Sequence, residues 1–165
     1  MADHLHGKGL RRLGLIASTE PHGAARGRGF ADAAHRLGLV GSPADVPTHT
    51  VGAPTRIAHG RQGLAALLAA HPDIEALACT SDLVALGVLI EARARGLRVP
   101  DDLAVIGFGD LDFAADADPP LTTVRVDGAE IGRRAAEMVI ARIEGRSVER
   151  PTVDVGFSLV ERESV

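Results

Sequence analysis

The stretch Ala76–Phe108 leaves this chain little choice of architecture. Ala76 to Cys79 is a short apolar run between polar residues, the pattern of a buried strand. Thr80, Ser81 and Asp82 follow directly, and all three residue types cap helix N-termini with a side-chain oxygen. Leu83, Leu86, Val88 and Ile90 carry an apolar face towards Gly96, which suits a helix stop. Pro100 keeps the helix from resuming, and Leu103 to Ile106 is a second buried strand closed by Gly107. A strand, a helix and a strand at this spacing predict two parallel strands joined by a right-handed crossover. Polar residues at the carboxyl end of the first strand then face the crevice where open α/β sheets bind ligands.

The same alternation runs through the rest of the chain. Met1 to Gly9 reads as the last turn or two of a helix that begins abruptly. Arg11 to Ala17 is a buried strand, and Ser18 to Gly23 a loop. Ala24 to Leu37 is a helix stopped by Gly38, His49 to Val51 a strand, and Thr55 to His71 a helix ended by Pro72. After Gly109 to Pro120, an acidic loop, Thr122 to Val126 is a strand. Asp127 with Glu130 makes a capping-box-like start to a helix reaching Glu144, and Val153 to Val160 is the last strand. Strand and helix alternate about five times with no internal repeat and no linker. The expected class is therefore α/β, a mostly parallel sheet flanked by helices.

Charge and composition narrow the function classes. Twenty-two acidic against 18 basic residues give a formal net charge of −4, which is not the footprint of a nucleic-acid-binding surface. One Cys excludes an internal disulfide and suits a reducing compartment. No basic leader with an apolar core and no membrane-length run is present, so the expected location is cytoplasmic. With four Phe and no Tyr or Trp, the core must be Leu, Val, Ile and Ala.

Few residues combine into chemistry. Ser81 and Asp82, at a strand-to-helix turn, are either plain caps or contacts to a ligand's hydroxyls, or both. Arg26, in Gly-Ala-Ala-Arg-Gly-Arg-Gly-Phe, meets the positive end of the helix dipole, so an anion such as a ligand carboxylate would stabilise it there; the alternative is a solvated side chain. Gly27 and Gly29 match neither the dinucleotide nor the P-loop fingerprint. The loop Gly109–Asp118 has four carboxylates at spacings that fail as a calcium loop; Asp110, just past a core strand, is its one cleft-side candidate. No metal-ligand set, no catalytic triad and no cofactor motif stand out.

Taken together, Ser-Asp-Leu-Val-Ala-Leu-Gly, Gly-Leu-Arg-Val-Pro-Asp-Asp-Leu-Ala-Val-Ile-Gly-Phe-Gly-Asp, Pro-Pro-Leu-Thr-Thr-Val and Leu-Val-Glu-Arg-Glu-Ser resemble the C-terminal part of lac-repressor/gal-repressor family transcriptional regulators. The resemblance covers nearly the whole chain. Its Gly-Phe-Gly-Asp-Leu-Asp-Phe-Ala run is most like the gluconate-utilisation repressors. It implies a periplasmic-binding-protein-like domain of two α/β subdomains with the effector between them, preceded by a helix-turn-helix that this chain lacks. Residues 1–10 then end a preceding helix and 11–121 form the C-terminal effector-binding subdomain. Residues 122–146 are a crossover strand and helix that would complete an absent N-terminal subdomain, and 147–165 a final strand and tail. The apolar face of Ile131, Ala135, Met138 and Ile143 needs a cover from elsewhere.

By position, Arg26 resembles the family's effector-binding Arg. Ser81 stands where the family often has Asn or Asp, followed by Asp82. Gly109 stands where many sugar-responsive members have Asp, which makes the pocket less acidic and leans towards a sugar acid such as gluconate. Leu86, Phe113 and Asp116 fall in regions resembling the family's dimer contacts, so a homodimer is implied, with DNA bound only through the absent domain. The implied function is effector sensing and dimerisation for a repressor, with no catalysis and no cofactor. The rival expectations are a solute-binding protein for sugar uptake and a small α/β enzyme acting on a sugar acid.

Overall fold

The structure, a computed structural model, describes residues 1–147 and 152–165. Among the described residues six strands form one sheet in the order β2-β1-β3-β4-β5-β6. These are β1 (Leu13–Ser18), β2 (Thr48–Val51), β3 (Ala76–Cys79), β4 (Ala104–Phe108), β5 (Thr122–Arg125) and β6 (Ser158–Val160). The first four pairings are parallel and only β5 with β6 is antiparallel. In the centre Leu15 stands opposite Ala78, and Ala78 opposite Ile106. The α/β architecture expected from the alternation is the one found.

Helices α1 (Ala2–Gly7), α2 (Pro21–Arg36), α3 (Ile57–Ala70), α4 (Asp82–Ala94) and α5 (Gly128–Ile143) alternate with the strands. Two apolar cores lie on the two faces of the sheet. One joins Ile16, Leu77, Cys79 and Val105 to α3 and α4. The other joins Leu13, Leu15, Ala78 and Ile106 to Leu5 of α1 and to Phe30, Ala31 and Ala34 of α2. Burial of this aliphatic surface supplies most of the driving force for folding.

Helix α4 differs from its expected facing. Val84, Ala85, Val88, Leu89 and Ala92 are buried, Leu83 and Leu86 are half-buried, and Ile90 is exposed. The reason is α3, which covers a second side of α4. At their crossing Gly60 and Gly87 bring the two backbones together: a Cβ on Gly87 would stand 2.0 Å from the Ile57 carbonyl oxygen. Contact on two sides widens the buried arc beyond a single stripe.

Two boundaries moved. Helix α2 starts at Pro21, not Ala24, because proline suits the first helical position and Gly23 packs tightly on Ser18. Helix α5 starts as expected, with the Asp127 carboxylate accepting the Glu130 N–H at 3.0 Å. However, Glu130 turns to Arg133 and Arg134 instead of back to the cap. The last strand is only Ser158–Val160, not Val153–Val160. Its partner β5 is four residues long, and Gly156 at φ 71° breaks the extended path before it. The start of the expected closing segment, residues 148–151, lies outside the described residues.

Helix α5 keeps one buried residue, Ala141, while Ile131, Val139, Ile140 and Ile143 face outward, Ile143 at 80 % exposure.

Candidate functional site

All four parallel junctions end on one edge of the sheet, and the loops that follow them gather there. Thr80, after β3, is the organising residue and is buried. Its N–H donates to the Ile16 carbonyl at 3.1 Å, and its hydroxyl oxygen accepts the Ser18 N–H at 3.1 Å. Its own carbonyl accepts Arg26 Nη1 at 3.1 Å. Thr80 therefore locks the ends of β1 and β3 together and holds the Arg26 guanidinium over the sheet edge.

The other face of that guanidinium lies on an aromatic ring, with Arg26 Cζ 3.7 Å from the Phe108 centroid. Phe108 ends β4, so the cation–π contact ties α2 to a second strand end. Because α2 begins at Pro21, Arg26 sits in its second turn, beyond the reach of the dipole argument made from sequence. What orients it is Thr80 and Phe108. Burial pulls its pKa below the usual arginine value, opposed by the more distant charges of Asp82 and Glu20. Among the described residues, no carboxylate is within ion-pair distance of it. A half-buried, oriented cation with no counter-ion among the described residues is equipped to meet an anion bidentately.

Arg26 and Phe108 border a cavity of about 340 Å³, completed by Met1, Asp3, Phe30 and Ala33, and by Val124 and Phe157 on its other side. A second hollow of about 560 Å³ continues past Phe108 along Ile131, Ala135 and Met138 of α5. Phe157, 78 % exposed, stands between the two. Together they make an open, mostly apolar trough whose charged lining groups are Arg26 and Asp3 in the first hollow and Arg134 and Asp154 in the second.

The other residues singled out from sequence divide. Ser81 caps α4, its Oγ accepting the Val84 N–H at 3.4 Å; it is half-exposed and its hydroxyl proton has no acceptor among the described residues. Asp82 points inward and has 0 % exposure. Its Oδ1 accepts the Thr123 hydroxyl at 2.5 Å and its Oδ2 the Leu111 N–H at 2.9 Å. Burial raises its pKa, and these two bonds oppose the rise. Gly107 is required beside it, since a Cβ there would lie 2.2 Å from Asp82 Oδ1. The structure thus places Asp82 under the site, joining α4 to β5, and not on the crevice wall.

Asp110 is also engaged. Its Oδ1 accepts Arg162 Nη2 at 2.7 Å and its Oδ2 accepts Arg125 Nε. Burial would raise its pKa, but the two guanidinium groups more than reverse this and hold it below the usual carboxylate range. Leu86 is half-buried on α4, Phe113 half-buried in a short 3-10 turn (Asp112–Ala114), and Asp116 exposed just beyond it. An Arg93–Asp118 ion pair of 2.6 Å ties this loop to the α4 row that holds Leu86 and Ile90.

Sequence reasoning missed Phe108, Thr123, Arg125 and Arg162 as parts of this region. Phe108, Thr123 and Arg162 lie within the quoted motifs, but only the fold shows which faces they present.

Comparison with known proteins places this geometry. Residues 2–165 match the family model described as a periplasmic binding protein-like domain. The chain is 37 % identical over 164 residues to the HTH-type transcriptional regulator GntR of Pseudomonas aeruginosa, covering 99 % of this chain and 47 % of that protein. The crystal structure of the transcription regulator GntR from Chromobacterium violaceum is similar at a TM-score of 0.88 and 32 % identity, over 99 % of this chain and 59 % of the other. The complex of the transcriptional regulator CelR with cellobiose is similar at a TM-score of 0.88 and 31 % identity, over 99 % and 50 %. The chain spans about half the length of the curated relatives it matches.

Proposed function

Because this chain belongs to the periplasmic binding protein-like domain family, in the form that LacI-type transcriptional regulators carry, we propose that it is the effector-sensing lobe of a sugar-responsive repressor. The observation that carries the reading is Arg26: a cation fixed by the Thr80 carbonyl and the Phe108 ring at the lip of a trough, with no carboxylate paired to it among the described residues. Such a group at the carboxyl ends of parallel strands suits a small polyol bearing an anion. An aldonate such as gluconate fits this description. Its carboxylate meets Arg26, a hydroxyl meets Ser81, and Phe108 supports the carbon chain. Gly109 leaves no carboxylate at the position where a neutral sugar would want an acceptor. CelR, whose complex holds cellobiose, shows that a relative of this shape takes a carbohydrate.

The outward apolar face of α5 belongs, in this reading, to a second lobe that closes the trough from the other side. Effector in the cleft shifts the population of lobe arrangements, which changes how the paired DNA-binding heads of the whole regulator are spaced. The row Leu86 and Ile90, with Phe113 and Asp116 on the adjoining loop, forms the face for a second copy of the chain. The protein works in the cytoplasm, binds DNA only through other segments of the regulator, and catalyses nothing. No helix of the described residues is long and apolar enough to cross a membrane.

The experiment is titration calorimetry with gluconate and glucose on the protein and on Arg26→Ala. The reading expects gluconate to be preferred and Arg26→Ala to weaken it by tenfold or more, roughly the loss of one charge-assisted bidentate contact. Equal gluconate affinity in the two proteins refutes it.

A further inference from the structure

Between β5 and β6 the described residues 126–147 and 152–157, α5 among them, lie outside the sheet, so the strands on either side are the covalent routes to that excursion. Both routes converge on one carboxylate. Arg125 is the last residue of β5, and Arg162 follows β6 by two positions. Asp110 Oδ2 accepts Arg125 Nε, and Asp110 Oδ1 accepts Arg162 Nη2 at 2.7 Å. The Asp110 side chain is 9 % exposed and that of Arg162 is 17 %. Asp110 itself has φ 53°, a left-handed backbone that persists where its surroundings over-determine it.

On the sheet side of this point the chain is stapled closely. Arg162 Nη1 donates to the Leu121 carbonyl at 2.7 Å, and the Ser164 hydroxyl donates to the Val105 carbonyl at 2.6 Å while accepting the Thr122 N–H at 2.8 Å. On the far side, α5 keeps one buried residue. Among the described residues the side-chain bonds to the sheet therefore end at Asp110, and rigid body gives way to excursion there.

We propose that Asp110 is a hinge-positioning residue: by gripping Arg125 on the outgoing strand and Arg162 beside the returning one, a single carboxylate fixes the direction in which α5 leaves the sheet. The inference rests on the reading of α5 as part of a second lobe. It also makes Asp110 a structural ligand of two arginines rather than an effector contact, since each of its oxygens already accepts a guanidinium N–H.

The test is a spin-label distance measurement between α4 and α5 on the full chain, with labels at Ala94→Cys and Ala136→Cys, two exposed positions. Cys79 is fully buried and stays unlabelled. Asp110→Asn and, separately, Arg125→Gln are compared with the unsubstituted labelled chain. The distance distribution is expected to broaden about twofold in both variants, as a second arrangement becomes populated. Amide-exchange protection of β1, β3 and β4 is expected to stay the same. An unchanged distribution in both variants overturns the proposal, and so does broadening that appears only together with lost protection of those strands. Gluconate titration run in parallel keeps the two readings apart: a chain that binds no aldonate yet shows the broadening refutes the effector reading and supports the hinge.

Discussion

Replacing Asp82 by Ala separates support from recognition. The substitution leaves the Thr123 hydroxyl and the Leu111 N–H without the carboxylate they donate to. Thr123 is fully buried, so its hydroxyl loses its partner with no water to replace it, whereas Leu111 is exposed enough for its N–H to be partly rehydrated. An unsatisfied buried donor costs about 1–3 kcal/mol, and a hydrogen bond to a charged group is worth about 1.5–3 kcal/mol. Relief of a desolvated carboxylate offsets part of the sum, leaving a loss of about 2–4 kcal/mol. For a chain of this size each kcal/mol moves Tm by about 2–4 °C, so a fall of roughly 4–16 °C is expected in a circular-dichroism melt. The pH dependence has a definite sign. Burial raises the Asp82 pKa in the folded state. Its titration therefore contributes stability that is complete below the ordinary carboxylate value of about 3.9 and lost as pH rises through the raised one. The gap between the native chain and Asp82→Ala should widen on acidification. Gluconate affinity of the folded variant should be unchanged. A variant that melts with the native chain but loses gluconate would return Asp82 to the crevice wall and refute this reasoning.

Other substitutions probe the remaining elements. Gly87→Ala drives a Cβ towards the Ile57 carbonyl oxygen and should cost about 3 kcal/mol in denaturant unfolding, by forcing α3 and α4 apart. Gly132→Ala, in open space on α5, should instead stabilise by about 0.5–1 kcal/mol in the same assay. Leu86→Glu should turn a dimer into a monomer in sedimentation velocity without changing the melt of the monomer. The Asp110 carboxyl lies below its usual pKa, because the Arg162 and Arg125 bonds outweigh burial. It contributes stability that is present above about pH 4 and lost as pH falls through the lowered value. Acid unfolding of Asp110→Asn should therefore be less steep than that of the native chain.

The fold was readable from sequence because its signals are local. Apolar runs at Leu13–Ala17, Ala76–Cys79 and Ala104–Ile106 needed no partner to be recognised as strands, and Gly38, Gly96 and Gly145 marked helix ends by the φ they adopt. The site was legible only in part, because its logic is tertiary. Arg26 was found, but for a reason that a helix start three residues earlier removes; its true partners, Thr80 and Phe108, lie 54 residues away across a hydrogen bond and at the end of another strand. Asp82 looked like a crevice residue because the turn after β3 is polar. Its side chain turns inward because Thr123, on a strand not adjacent in sequence, offers a buried donor. Asp110 was singled out for its place beyond β4, while the two arginines that occupy it come from residues 125 and 162.

The central claim is that an anionic polyol binds at Arg26 and Phe108. A ¹H–¹⁵N NMR titration of the chain with gluconate tests it most directly, since it registers weak binding by an open lobe. The account predicts shifts concentrated at Arg26, Thr80, Ser81 and Phe108, all abolished in Arg26→Ala. Shifts centred elsewhere, such as the groove beside Thr48 and Thr50, or unaltered in that variant, would contradict it.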